Sequence, residues 1–308
     1  MTAEPRAEPR VQPRRGWLRH AARAGQIVSD RADLWLAGAL AWLAYGGVLI
    51  FLAAVVPFPS LADLAFFSAD IAVSGSILPA VLLGAGLLAA FIVLCVLHAV
   101  GASVVIGELD GRRGWFGAAT ELLAVHLVAS VPVAAAGLFL SWRLAIVAPA
   151  EYQSPDIGGP LALRIAAGVL PELLLVLLVL LVVQVMTAGA SWRVAGWGRI
   201  ALAIALRGGL TDARRHPLRL GGIAVATFAV HLAYGAIAFL LLRLLYAPIG
   251  AALAEGQVRD VGMIALLVGF VAIWLCLVLG GGALHAWASA WWAGELEAGT
   301  HRHEGAGL

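Results

Sequence analysis

The chain has few charged residues for its length. Charged side chains make up 12% of its 308 residues and hydrophobic side chains 62%, whereas a typical soluble domain has about 25% and 45–50%. The mean hydropathy is +0.95. Together these values exclude a soluble globular protein and indicate an integral membrane protein.

The chain also lacks the motifs of common catalytic sites. We find no phosphate-binding Gly-Lys loop, no HExxH and no nucleophile elbow. No polar region is long enough for a separate catalytic domain. The two cysteines, Cys95 and Cys276, both lie in apolar runs, which favours buried small hydrophobes over a disulfide or metal site. We therefore expect a protein that is not an enzyme and needs no cofactor.

Six apolar stretches are long enough to cross a bilayer as helices, which takes about 20 residues each. They predict an all-α, polytopic membrane protein with six transmembrane helices, at Leu34–Pro57, Ile77–Gly107, Ala118–Val147, Leu161–Ala190, Gly221–Tyr246 and Gly262–Ala293. We expect them to form one membrane domain over 14–297. Residues 1–13 and 298–308 are expected to be tails, the first of them disordered because of its AEPRAEPR composition. The first apolar run starts too late and is too long for a cleavable signal sequence.

Two amphipathic segments, 14–32 and 192–216, predict helices that lie in the membrane surface before the first and fifth spans. In the first segment, Arg15, Arg19, Arg23, Gln26 and Asp30 recur at steps of three or four residues and share one helical face. In the second segment, Arg199, Arg207 and Arg214 share a face. An ordinary basic loop is the alternative for the second segment.

The arginines fall mostly on one side of the predicted spans. The four exceptions among 20 are Arg143, Arg164, Arg243 and Arg259. Because basic loops stay on the inner side, both termini are expected in the cytoplasm, with the protein in a bacterial cytoplasmic membrane. The inner loops should present a basic face to anionic lipid headgroups, and not to nucleic acid; it includes Arg112, Arg113, Arg199, Arg207, Arg214 and Arg215.

The chain repeats a fourteen-residue pattern. LHAVGASVVIGELD at Leu97–Asp110 matches LHAWASAWWAGELE at Leu284–Glu297, with the same spacing between His and Glu. A weaker match joins LAYGG at Leu43–Gly47, LVASV at Leu127–Val131 and LAYGA at Leu232–Ala236. These matches predict three related hairpins around a shared centre, although matches of Ala, Leu and Gly alone mean little in so apolar a chain.

Six ionisable residues fall inside the predicted spans: His98, His126, His231, His285, Glu121 and Glu172. The histidines all lie on the order of 15–20 Å along their helices from inner-side markers. Intramembrane polar groups are rare and tend to face a bundle interior. Three hypotheses stay open: ligation of a haem iron or other metal ion, a polar cavity or proton path, and simple hydrogen bonding of each ring to a neighbour. Trp291 and Trp292 are expected in an interfacial aromatic belt.

Glu108 and Glu295 close the two copies of the repeated pattern as an interfacial acidic pair. A carboxylate near the C-terminal end of a helix is unfavourable for the helix dipole. We therefore expect arginine partners, from Arg112, Arg113 or the segment between the fourth and fifth spans. Glu172 follows Pro171, which predicts an interrupted helix in the fourth span.

The segment ARRHPLRLGG (Ala213–Gly222), with its basic surface helix and hairpin rhythm, resembles poorly characterised bacterial six-helix membrane-domain families. One is the membrane domain found with some glycerophosphodiester phosphodiesterases. The resemblance implies a membrane domain and no site residues. The predicted function is a non-enzymatic, transporter-like or accessory scaffold component, with another membrane subunit or an ATPase as a conceivable partner. The alternatives are a haem- or metal-binding redox protein that uses the histidines and, third, the permease subunit of an ABC-type exporter.

Overall fold

The computed structural model describes residues 16–56, 78–109, 118–153, 160–197, 202–255 and 261–304. Within these ranges the chain is helical apart from short connections, and no residue lies in a strand. The all-α prediction is thus confirmed for the described part of the chain. The expected tail 1–13 lies outside it.

Three helical segments form the N-terminal part: α1 (Trp17–Ser29), α2 (Ala32–Trp42) and α3 (Val48–Val55). A π-helical turn, Leu43–Gly47, joins α2 directly to α3. The remaining helices are α4 (Leu78–Leu109), α5 (Ala119–Gln153), α6 (Leu161–Gly168), α7 (Leu170–Trp197), α8 (Leu202–Arg215), α9 (Pro217–Ala254) and α10 (Val261–Glu304). Helix α10 therefore continues through 298–304, which we had expected to be tail.

Five helices in the described ranges are long and apolar enough to cross a membrane. Their candidate spans are Ala85–Leu109, Ala119–Gln153, Leu170–Ala195, Pro217–Ala254 and Gly262–Leu296. The first segment expected from the sequence is helical from Ala32 to Val55, but the π turn divides it into helices shorter than a single span. The structure thus places five such helices where the sequence predicts six spans.

The π turn has a local cause in the sequence LAYGG. A Cβ atom on Gly46 would lie 2.7 Å from the ring of Trp42, so that the indole fits against this backbone only because a side chain is missing. The wider turn shifts the hydrogen-bonding pattern, and the Val48 N–H donates to the Leu43 carbonyl. Single π turns inside α-helices are often found at functional sites.

A second interruption separates α6 from α7. Val169 is buried and leaves the helical conformation with φ −116° and ψ 12°, two residues before Pro171. Proline has no N–H to donate to the carbonyl four residues earlier, and its ring crowds that turn, so a regular helix does not continue from α6 into α7. The break agrees with the interrupted fourth span that the sequence predicts.

Helix α2 packs between α4 and α10 through backbone contacts. A Cβ atom on Gly101 of α4 would lie 2.5 Å from the Ala41 nitrogen of α2, and one on Gly282 of α10 would overlap the backbone of Trp35 and Ala39. Only glycine permits this approach at both crossings. The contacts bring the two copies of the repeated pattern, which lie on α4 and α10, to opposite sides of α2.

Helix α1 lies against the bundle. Its residues Ala24 and Val28 are buried in an apolar cluster with residues of α10 that include Trp291 and Trp292. The two tryptophans are 2% and 6% exposed, so the prediction that they form an interfacial aromatic belt was wrong. The outward face of α1 is the polar face that the arginine spacing predicts, because Arg19 and Arg23 are exposed.

Helix α8 covers only part of the range 192–216, over which the sequence predicts a surface helix. Residues 192–197 continue α7, and α8 begins at Leu202. Asp212 of α8 forms a 2.5 Å ion pair with Arg193 of α7, and Gly209 packs against the Met186 carbonyl. We call the end of the bundle that holds α1, α8, Glu108 and Glu295 the arginine-rich end.

Candidate functional site: an intramembrane histidine cluster

His98 lies at the centre of the bundle. Its side chain on α4 is 4% exposed, and its Nδ1 atom is 3.1 Å from the carbonyl oxygen of Ala41 on α2. A carbonyl only accepts hydrogen bonds, so Nδ1 carries the hydrogen. In the neutral ring this leaves Nε2 as the basic nitrogen. The Ala41 carbonyl lies two residues before the π turn.

Two further histidines contact the His98 ring. His126 of α5 lies edge-on to it, with ring centroids 4.4 Å apart and planes at 90°. His285 of α10 lies 5.4 Å away at 80°. His285 also interacts electrostatically with His126 and with His231 of α9. We call His98, His126, His231 and His285 the histidine cluster, which four separate helices build.

A polar chain extends from the cluster toward α7. The Nδ1 atom of His231 is 2.7 Å from the Thr227 carbonyl oxygen. The Thr227 hydroxyl, which is fully buried, accepts a 2.9 Å hydrogen bond from Gln184 Nε2. Sequence reasoning missed Thr227. The signal available was its position four residues before His231, on the same helical face.

An aromatic layer borders the cluster on the side away from the arginine-rich end. The rings of Trp42 and Tyr234 meet at 74° with centroids 5.6 Å apart. Tyr234 donates a 2.6 Å hydrogen bond to the Leu277 carbonyl, and Trp274 donates one of 3.1 Å to the Gly47 carbonyl. Two carbonyls at or beside the π turn, those of Ala41 and Gly47, therefore accept hydrogen bonds from side chains of other helices.

Metal ligation was one hypothesis for these histidines. In the described residues, no group of three or more histidine, cysteine, aspartate or glutamate side chains is arranged to hold a metal ion. Two axial imidazoles on one haem iron would have centroids more than about 6 Å apart, given metal–nitrogen bonds of about 2 Å. The two ring contacts of His98 are both shorter than this.

Glu121 is not on the same helical face as the nearest histidine. It lies in the first turn of α5, five residues before His126, which turns the two side chains about 140° apart around the helix. Its Oε2 atom is buried and has no hydrogen-bond partner among the described residues.

Glu172 pairs with an arginine far from the arginine-rich end. The Nε atom of Arg143 on α5 donates a 2.8 Å hydrogen bond to Glu172 Oε1 on α7, and Glu172 is 8% exposed. Glu172 lies in the first turn of α7, where the helix dipole favours a negative charge. The structure places the pair away from the histidine cluster along both helices.

Glu108 and Glu295 both bind basic side chains, as the sequence predicts. Most of these partners differ from the arginines that we expected. Glu295, whose side chain is fully buried, pairs with His20 Nδ1 of α1 at 2.8 Å and with Arg219 of α9. Glu108 pairs with Arg31, which also donates a 3.0 Å hydrogen bond to the Glu108 carbonyl. Only Arg219 comes from the segment between the predicted fourth and fifth spans. Arg112 and Arg113 lie outside the described residues.

Arg31 joins a third carboxylate at the start of α2. It forms a 2.5 Å ion pair with Asp33, and this hydrogen bond lowers the pKa of the Asp33 carboxyl below its ordinary value. Hydrogen bonds with Asp33 and then Glu108 raise the pKa of Arg31. Sequence reasoning missed Arg31 and His20, because their partners lie about 77 and 275 residues away in the chain.

The predicted basic face is partly visible. Arg207, Arg214 and Arg215 of α8 are exposed, and Arg199 lies outside the described residues. None of the three exposed arginines faces the histidine cluster, which lies deeper in the bundle.

Comparison of the chain with protein-family models, with curated proteins and with solved structures finds no match. The resemblance around Ala213–Gly222 therefore stays a prediction. In the residues that it describes, the structure defines a multi-helix protein with five candidate membrane spans and a cluster of histidines in which His98 is buried and the other three are half-buried.

Proposed function

We propose that this protein is a transporter-like, non-enzymatic membrane component in which the histidine cluster forms a polar path for protons. The observation that carries the proposal is the contact of His98 with both His126 and His285. Histidine has one nitrogen that donates and one that accepts in its neutral form, so adjacent rings can pass a proton between helices. Buried ionisable groups in candidate spans favour such a role.

The polar chain of His231, Thr227 and Gln184 supports the same proposal. It continues from the cluster to α7, so polar atoms from six helices, including the Ala41 carbonyl of α2, surround one region of the interior. An isolated buried histidine needs one hydrogen-bond partner only. Convergence of four of them exceeds that requirement.

Proton flux into proteoliposomes tests the path. We expect vesicles that contain the purified protein and a pH-sensitive dye to acidify faster under a potassium diffusion potential than protein-free vesicles. His98→Gln and His285→Gln should each return the rate to that of protein-free vesicles. The matched control is His216→Gln, because His216 is exposed and lies outside the cluster. Equal rates with and without wild-type protein would overturn the proposal.

The haem- or metal-binding alternative rests on the presence of histidines from several helices in one region, since neutral imidazole is a common metal ligand. An absorption spectrum and a metal analysis of the same purified protein separate the two functions. A Soret band or one metal ion per chain would replace the proton path with a redox or metal-binding role.

We further propose six spans in three related hairpins, with the arginine-rich end in the cytoplasm facing anionic lipid. The helical segment Ala32–Val55 supplies the sixth span if the π turn lies within the membrane, and exposed arginines of α8 fit the rule for inner-side loops. Ile204, which is 62% exposed, offers a test. In a background without Cys95 and Cys276, an impermeant maleimide should label Ile204→Cys in inverted vesicles and not in intact cells. Labelling in intact cells would reverse the orientation.

A further inference from the structure

Helix α1 packs along α10, beside the stretch from Trp287 to Glu295 at the arginine-rich end. Val105 and Trp292 each follow a cluster histidine, His98 and His285, by seven residues. They therefore lie on the same helical faces as these histidines, about 10 Å nearer the arginine-rich end. Both side chains are buried, at 0% and 6% exposure.

These two residues pack in one apolar cluster with α1. The cluster includes Ala24, Val28, Val105, Ala290, Trp291 and Trp292. Ala24 and Val28 come from α1, and the other four come from α4 and α10. The α10 side chains that follow His285 in this cluster are thus buried in part by a helix that is not one of the candidate spans.

Side-chain contacts also hold α1 against α10 along the same stretch. Trp287, two residues beyond His285, donates a 3.0 Å hydrogen bond to the Ala21 carbonyl of α1. Trp17 stacks on Trp291 with ring centroids 5.5 Å apart. His20 binds the fully buried carboxylate of Glu295 at 2.8 Å. Glu295 is therefore a single side chain on which the attachment of α1 depends electrostatically.

The connection after α1 supplies an anchor. Asp30 and Arg31 separate α1 from α2, and Arg31 is held by Glu108 at the end of α4. Loss of the Glu295 contact would release α1 while this anchor remained. The exposed Arg19 and Arg23 on its outward face suit a helix that can lie on a membrane surface once its apolar side is freed.

We infer that α1 is a lid that blocks access to the histidine cluster from the arginine-rich end. The contact between His20 of α1 and Glu295 of α10 holds this lid closed. This rests on the proposed function, because a lid regulates access to the path that the histidines form. The lid itself is defined by contacts of α1, α4, α9 and α10, and its position can be measured without any transport.

Cysteine accessibility measures the lid directly. In the full-length protein in detergent, with Cys95 and Cys276 replaced by alanine, Ala24→Cys on the buried side of α1 reports release of α1 from α10. We expect soluble maleimide to label it about tenfold faster when Glu295→Gln or His20→Gln is added, because local opening requires loss of the contacts that hold one element. The control His216→Gln should leave the labelling rate unchanged.

A second reporter separates opening of the lid from general loosening. Ala54 is fully buried in another apolar cluster, with Leu242 and Phe270. Ala54→Cys should stay protected when Glu295→Gln is added. Equal acceleration at both reporters, or no acceleration at Ala24→Cys, would overturn the lid.

Proton flux in proteoliposomes distinguishes failure of the lid proposal from failure of the proposed proton path. If Glu295→Gln accelerates labelling of Ala24→Cys, and the wild-type and Glu295→Gln proteins both give no flux, the lid stands and the proton path fails. If Glu295→Gln opens the lid and increases the proton flux, and His98→Gln abolishes that flux, the lid and the proton path are both supported.

Discussion

The two copies of the repeated pattern, on α4 and α10, have the same residues at the same spacing and different surroundings. On α4, His98 binds a backbone carbonyl and contacts two other histidines, and the side chain of Glu108 is 14% exposed. On α10, His285 contacts His98, and the side chain of Glu295 is fully buried between two basic groups. The α4 copy is thus more constrained at its histidine and the α10 copy at its glutamate.

The difference shows that the repeated pattern determines the distance between its histidine and its glutamate along the helix. The neighbouring helices determine what each of these side chains contacts. Both histidines lie ten residues before their glutamates, so each pair spans the same distance along its helix. Helix α2 lies against both copies, but α1 is packed mainly along α10, and this makes Glu295 the more deeply buried carboxylate. A repeated sequence therefore need not repeat a chemical environment.

The largest expected effect comes from removing the glycine contacts that hold the two copies against α2. Gly282→Ala and Gly101→Ala each place a Cβ in backbone atoms of α2, and we expect each to lower the free energy of unfolding by about 3 kcal/mol. The effect should be greater for Gly282, where the overlap is tighter. Thermal unfolding in detergent, followed by tryptophan fluorescence, measures both.

Each glycine has a control on its own helix. A Cβ on Gly269 of α10 or Gly86 of α4 meets no atom within 4 Å, so alanine there should be neutral or stabilise by up to about 1 kcal/mol. If Gly282→Ala behaved like Gly269→Ala, the close crossing of α2 and α10 would be disproved.

A smaller effect should separate the two glutamates. Glu295→Gln leaves Arg219 and His20 without their buried partner, and we expect a loss of about 2–3 kcal/mol, below the usual figure for a fully buried pair because both basic groups are partly exposed. Glu108→Gln should lose about 1 kcal/mol, because Arg31 keeps Asp33 and the Glu108 carbonyl.

The same unfolding measurement tests this order in paired variants. Arg31→Ala should cost less in the Glu108→Gln background than in the wild-type protein, because the ion pair with Glu108 is already lost and only the contacts with Asp33 and the Glu108 carbonyl remain. Added to Glu295→Gln, it should be additive because the two pairs are separate. A larger loss for Glu108→Gln than for Glu295→Gln would contradict the burial described for the two carboxylates.

The common depth of the four histidines in a bilayer stays a prediction, whereas the sequence predicted the helical class, because hydropathy over runs of this length determines it. It did not predict that His98 contacts His126 and His285, since this depends on the rotation of three helices and on glycine crossings distant in the chain. Pro171 correctly indicated the break before α7, because a proline acts on its own backbone.

The errors concern segments whose environment is decided by packing between helices. Trp291 and Trp292 have the composition of an interfacial belt, but α1 covers them. Amphipathicity predicted the polar face of α1 and could not say whether its apolar face meets lipid or protein. The division of the first predicted span depends on how Gly46 and Trp42 pack, which hydropathy does not register.

The π turn at Leu43–Gly47 fixes the angular phase between the two halves of its helical segment. It contains one more residue than an α-helical turn needs, so winding the same residues as a regular α-helix would rotate α2 relative to α3 by about 100°. Gly38, which faces Gly282 of α10, would then point elsewhere while Ala54 kept its place. Loss of the π turn without deletion of a residue would therefore put the glycine crossing and the Ala41 carbonyl out of register with the rest of the bundle.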